Sequence, residues 1–205
     1  MLSKTQQVWR HLVVGALERD QRRWDSIVAL AAELGMGVST THRALSHPGE
    51  IGAVHVPAGG GVRVVDPGRL LLLWAGHRHM ARDLVERFEV GGSAPVVERS
   101  IANPEAILGG FGAAVAHMGG NPVADYETVL VYGDPGIDAI GRVEDPEPGR
   151  VTEVLVGRPD PLLARYGRIT PLTQAWVDLF SLPGWQAARF VHHLLTVLVT
   201  DATEP

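Results

Sequence analysis

Up to about residue 50, apolar residues recur along the chain at helical spacing. Val8, Leu12 and Ala16 share one face at i, i+4, with Trp9, Val13 and Leu17 beside them, which predicts a helix over residues 4–20. A second helix is expected over 26–34, capped by Asp25 or Ser26. A third runs from about Val38 to Ser46 and stops at Pro48-Gly49. The period then changes. Residues 53–56 and 62–65 alternate and flank Pro57-Ala58-Gly59-Gly60-Gly61, the pattern of a hairpin. Asp66 is a good N-cap and Pro67 suits the first position of a long helix. Its first half is apolar all round over 70–74, so buried or at a subunit contact. Its second half, 77–88, is amphipathic.

Glycine and proline gather over 89–95, which reads as a linker or sharp turn. The domain boundary is placed there, dividing the chain into 1–90 and 91–205. The second part alternates strand and helix. A strand is expected over 96–100, a Gly/Ala-rich helix from Asn103-Pro104 to about Met118, and a buried strand over 128–132. A short helix at 134–140, an acidic loop at 144–149 and a strand at 151–156 follow. Thr170-Pro171 caps a helix, and 184–200 forms the last. The expected fold class is α+β: an N-terminal winged helix-turn-helix followed by a mixed α/β domain.

The stretch 24–45 carries the functional signal. A helix-turn-helix needs a small residue where its helices cross, here Ala31, and a glycine four residues on, here Gly35. Met36, Thr41, Ala44 and Leu45 would pin the second helix. Ser39, Thr40, His42 and Arg43 would then face outward, where a major groove can be read. Arg22 and Arg23 before the second helix, and Arg63 on the wing, are expected to meet phosphates. The ordinary alternative is an αα-hairpin inside a small helical core. A phosphate-cradling role for Gly59–Gly61 is disfavoured, since no helix opens there with Lys-Ser/Thr.

Charge sharpens this picture. The net charge of the 205 residues is −5, yet residues 1–80 carry +3 and the remainder −8. A basic first part on an acidic second part suits a DNA-binding module with a second task attached. Cysteine is absent, which removes disulfides and thiolate metal sites and suits the cytosol. No apolar run of transmembrane length and no secretory signal stands in the sequence, so a cytoplasmic location is expected.

The segment AAELG…STTHRAL resembles bacterial winged helix-turn-helix repressors, with two departures. Gly37 stands where a capping Ser is usual, and Thr41 where Val is usual. Together with VVDPGRLLLLWA, GGFGAAVAHMGG, VLVYGDP and RITPLTQAWVDLFSLPGWQAARFVHHLL, the chain resembles the AbiEi family, transcriptional-regulator antitoxins of type IV toxin–antitoxin systems. The resemblance implies a winged-helix domain, a C-terminal antitoxin domain and repression of the protein's own operon. Its expected partners are double-stranded operator DNA and a cognate toxin operon, with a homodimer as candidate assembly.

An enzymatic alternative rests on Gly109-Gly110, Asp125-x-Glu127 and Asp134, the order in which nucleotidyltransferases carry a Gly-Gly/Ser helix and magnesium-binding carboxylates. The spacing fits poorly, because Asp125 precedes the strand. The glycines are therefore read as packing and the carboxylates as solvated loop ends. No catalytic residue, metal site or cofactor is expected: His77/His79 and His192/His193 lack metal-ligand spacing, and no Gly-x-Ser-x-Gly elbow occurs. Trp176, Phe180, Trp185 and Phe190 recur at roughly helical spacing and are read as core, with a partner-binding face as the minority reading.

Overall fold

The computed structural model describes residues 1–136 and 149–200. The helix expected at 134–140 and the loop at 144–149 fall mainly outside them. The fold is α+β, in two compact units. One comprises Leu2–Arg78, with residues 197–200; the other comprises His79–Thr196, with Met1.

The first unit opens on α1 (Lys4–Glu18), where Ser3 and Gln6 form a reciprocal capping box. A two-residue strand, β1 (Arg23–Trp24), precedes α2 (Ile27–Leu34). Ser26 caps α2 by accepting from the Ala29 N–H. Gly35 ends α2 in the left-handed region at φ 61°, and Met36 N–H reaches back to the Ala31 carbonyl at 2.9 Å. The next helix, α3 (Val38–Glu50), begins on Gly37, which offers no side-chain cap. Thr41 is fully buried, and its hydroxyl donates to the Gly37 carbonyl at 3.3 Å.

α3 does not stop at Pro48 as its sequence suggested; it continues through Pro48 to Glu50. The reason is visible one turn back. Pro48 has no N–H to give the Ala44 carbonyl, and the indole N–H of Trp9 on α1 donates to that carbonyl instead, at 2.7 Å.

β2 (Val54–His55) and β3 (Val62–Val64) follow, then α4 (Pro67–His77), capped by Asp66. The three strands form an antiparallel sheet in the order β1-β3-β2. In the loop between β2 and β3, the Gly60 carbonyl accepts from the Ile27 N–H at 3.1 Å, tying that loop to the start of α2. The unit's core gathers Val8, Leu12, Val13, Leu30, Leu45, Leu70, Leu71 and Trp74. Leu72, expected to be covered like its neighbours, is 57% exposed.

Four expectations in the second unit are corrected. The helix foreseen over 77–88 gives way after α4 to a single turn, α5 (Met80–Asp83), and then to a strand, β4 (Leu84–Gly91). Glu89–Gly91, read as linker, lie in that strand. Residues 96–100, read as strand, belong to α6 (Ala94–Ser100), whose entry holds Pro95. The helix foreseen over 103–118 is split into β5 (Ile107–Gly109) and α7 (Gly110–His117). Asn103 turns the chain by accepting from the Glu105 N–H, and Gly110 takes φ 51° at the strand–helix junction.

β6 (Thr128–Tyr132) and β7 (Val151–Gly157) match their expected positions. The sheet order is β4-β7-β6-β5, with β6 and β7 parallel and the outer pairs antiparallel. After a 3₁₀ turn at Leu163–Tyr166 come α8 (Leu172–Phe180) and α9 (Trp185–Thr200). Ile107, Leu130, Tyr132, Leu155 and Leu163 centre this core, and the Tyr132 hydroxyl donates to buried Asp178 at 2.7 Å. Trp176 and Phe190 are buried as expected, whereas Phe180 and Trp185 are 48% and 60% exposed.

Candidate nucleic-acid interface

Burial divides α3 into two faces. Thr41, Ala44, Leu45 and Pro48 are inside; Val38, Ser39, His42, Arg43, Ser46 and His47 are exposed. Thr40 is half-buried. The outward set expected from sequence is therefore found on one surface, with Thr40 at its margin.

Glu33 and Glu50 are the carboxylates that would compete with a ligand for Arg43. The structure engages both carboxylates elsewhere. Glu33 takes the Trp24 indole N–H at 3.1 Å and lies 3.1 Å from the His11 ring, while Glu50 accepts from the Ser46 hydroxyl at 3.3 Å. The Arg43 guanidinium touches its own helix through the Ser39 carbonyl at 3.4 Å.

The strands add a feature that residue spacing did not reveal. Arg23 on β1 stands directly opposite Arg63 on β3, and Arg63 directly opposite His55 on β2. All three are exposed, so they form a row across the outer face of the sheet. Like charges opposite one another disfavour a sheet. Among the described residues no carboxylate lies within ion-pair distance of Arg23, Arg43 or Arg63. Arg22 is half-buried just before β1, and its carbonyl accepts from the Val64 N–H. His55 was missed in the sequence because its place beside Arg63 depends on cross-strand register.

α3 and β2 meet in an open groove of about 750 Å³. His42, Arg43 and Ser46 line one side, and Val54, His55 and Val56 the other. Donors therefore converge from helix and strand on one concave surface. Such a surface can take anionic oxygens, and its guanidinium can also address a planar acceptor pair.

The residues of the enzymatic alternative do not converge in this way. Gly109 and Gly110 sit at the β5–α7 junction, packed on Leu130. Asp125 and Glu127 are exposed just before β6 begins. Asp134 lies beyond its far end, where its Oδ1 accepts from the Gly136 N–H. A strand advances roughly 3.3 Å per residue, which separates Glu127 from Asp134 by about 20 Å. Among the described residues no three His, Asp or Glu side chains are placed to hold one metal ion, and no helix is long and apolar enough to cross a membrane.

Compared with the profiles of protein families, with curated proteins and with solved structures, the chain matches none.

Proposed function

We propose that this protein is a sequence-specific DNA-binding transcriptional regulator of the AbiEi antitoxin type, acting in the cytoplasm as a repressor of its own operon. The element order α1-β1-α2-α3-β2-β3, with sheet order β1-β3-β2, supports reading the first unit as a winged helix. The observation that carries the proposal is the row Arg23–Arg63–His55 beside the exposed face of α3. Two aligned guanidinium groups without carboxylates, beside the His55 ring, suit a polyanion whose phosphates supply the missing charge. α3 is the reader in this scheme, and Arg23, Arg63 and His55, on β1, β3 and β2, are the phosphate clamp. The −8 charge beyond residue 80 keeps DNA contact to the first unit and leaves the second for another task. In the antitoxin reading, that task concerns a cognate toxin operon, and the second unit performs no nucleotidyl transfer.

The test is binding of the full chain to a fragment of its own promoter and to a scrambled duplex, titrated at several salt concentrations. Tight, saturable binding to the promoter with a steep salt dependence is expected. Equal affinity for both duplexes would remove the regulator reading, and no binding to either would remove the DNA reading altogether.

A further inference from the structure

The two edges of the four-stranded sheet are treated differently. At one edge, Leu108 of β5 donates to the Arg168 carbonyl at 2.8 Å and accepts from the Thr170 N–H at 2.9 Å, so passing chain covers that edge. At the other edge is β4, the longest strand of the sheet. Among the described residues, no strand pairs with its outer side. Val85 is 53% exposed, and Glu86, Arg87 and Glu89 are exposed with it. An exposed edge of this length is a template for another strand unless it is blunted.

The charges on β4 select the strand that fits. Arg87 Nε lies 2.7 Å from Glu153 on β7, while Glu89 stands directly opposite that same Glu153. Glu89 thus faces a like charge, with no cation beside it among the described residues. We propose that β4 pairs antiparallel with β4 of a second copy of this chain, in a two-fold register centred on Phe88.

A two-fold axis through the edge keeps each face of the sheet, so odd positions oppose odd and even oppose even. Centring on Arg87 sets arginine on arginine. Centring on Glu89 sets glutamate on glutamate. Centring on Phe88 sets Arg87 of each copy opposite Glu89 of the other, Phe88 opposite Phe88, and Glu86 opposite Val90. Of these three registers it alone gives each Glu89 a cation, and it unites two four-stranded sheets into one.

The full chain tests this by sedimentation over a concentration series. A dimer is expected. Glu89→Arg opposes two arginine pairs and should weaken the dimer by about tenfold or more. Arg87→Glu should do the same, and the double swap should restore dimerisation. Both side chains are exposed, and a thermal melt of each variant confirms that it is folded. Since the chain has no cysteine, Phe88→Cys reports the register independently. Opposed residues of an antiparallel pair bring their Cα atoms within disulfide reach, so mild oxidation should link the two copies. A wild-type monomer throughout the series overturns the proposal. So does a dimer that ignores the charge swaps, or one that forms no link through position 88.

Discussion

At the scale of single residues, the proposed reader and the proposed clamp predict different behaviour. Arg43 can donate two parallel hydrogen bonds to a guanine edge, and its helix presents it outward. Arg43→Ala should therefore cost about 1–3 kcal/mol on the promoter site and little on scrambled DNA. Arg63→Ala should weaken both duplexes alike and lower the salt slope by roughly one unit. Fluorescence titration of both variants against both duplexes separates the roles; an unchanged specificity ratio in Arg43→Ala would take the reading function from α3. A second residue-scale expectation concerns Glu98 on α6. Burial, opposed by the hydroxyl of Tyr126 at 3.1 Å and by Arg99, raises its carboxyl from the usual 4.5 to about 7. The folded state holds this proton more tightly than the unfolded chain does. Its stabilising effect is complete below pH 4.5 and is lost as pH rises through about 7. Glu98→Gln should consequently be more stable than the parent above pH 7 and nearly equal to it below pH 4.5. Denaturant melts at several pH values check the sign, and the opposite trend would assign that pH dependence to another group.

At the scale of elements, the two helices of the turn are capped unequally. Ser26 receives the Ala29 N–H at the start of α2, whereas Gly37 leaves α3 without a side-chain cap. Ser26→Ala should cost about 1 kcal/mol, and Gly37→Ser should add a few tenths. At Gly37 an added Cβ finds only Thr40 Oγ1, at 3.9 Å, so the cap can form without a clash. Thermal unfolding measures both; a destabilised Gly37→Ser would show that α3 needs the freedom of glycine there. These helices were legible in the sequence because period, cap and stop signal all lie within a few turns. β4, α6 and β5 were not. Only residues 87–90 of β4 alternate polar and apolar, a run too short to exclude a helical face, and its partner β7 lies far along the chain. β5 is short, and its pairing with β6 and its bonds to Arg168 and Thr170 fix its state. In such segments tertiary pairing outweighs local preference. The proline stop in α3 failed for a related reason: the donor that rescues the helix belongs to α1.

At the scale of the whole molecule, charge and chemistry are distributed unequally. Residues 1–80 carry the positive balance, with Arg23, Arg43 and Arg63 exposed and, among the described residues, without a carboxylate within ion-pair distance; the acidic balance lies beyond. That division could be read by counting, as could the types of most candidate residues. The alignment of Arg23, Arg63 and His55 could not, because it follows from which strands pair and in what register. The same limit explains the enzymatic reading. Gly109-Gly110 and the three carboxylates stand in a suggestive order, but the length of β6 holds Asp134 away from Asp125 and Glu127. Incubation of the full chain with labelled nucleotides, magnesium and RNA should give no incorporation. Robust incorporation that disappears in Asp125→Ala would overturn that expectation and return the second unit to the enzymes.

The hydrogen bond from Trp9 to Ala44 has a spectroscopic consequence. The chain holds five tryptophans, and their indole protons occupy five different settings. Trp9 donates to a carbonyl of α3, Trp24 to Glu33 and Trp176 to the Val191 carbonyl; Trp74 is buried with no acceptor for its N–H among the described residues; Trp185 is exposed. Nitrogen-15 labelling of tryptophan alone should thus yield five separable indole resonances. The Trp9 signal reports on α3 from its buried side. The nearby rings of His47 and His77, 6.4 and 5.2 Å from its own, add ring-current sensitivity to small movements of that helix. Solvent exchange of this one proton follows the opening of α3, so in the proposed DNA complex it would register binding without touching the duplex.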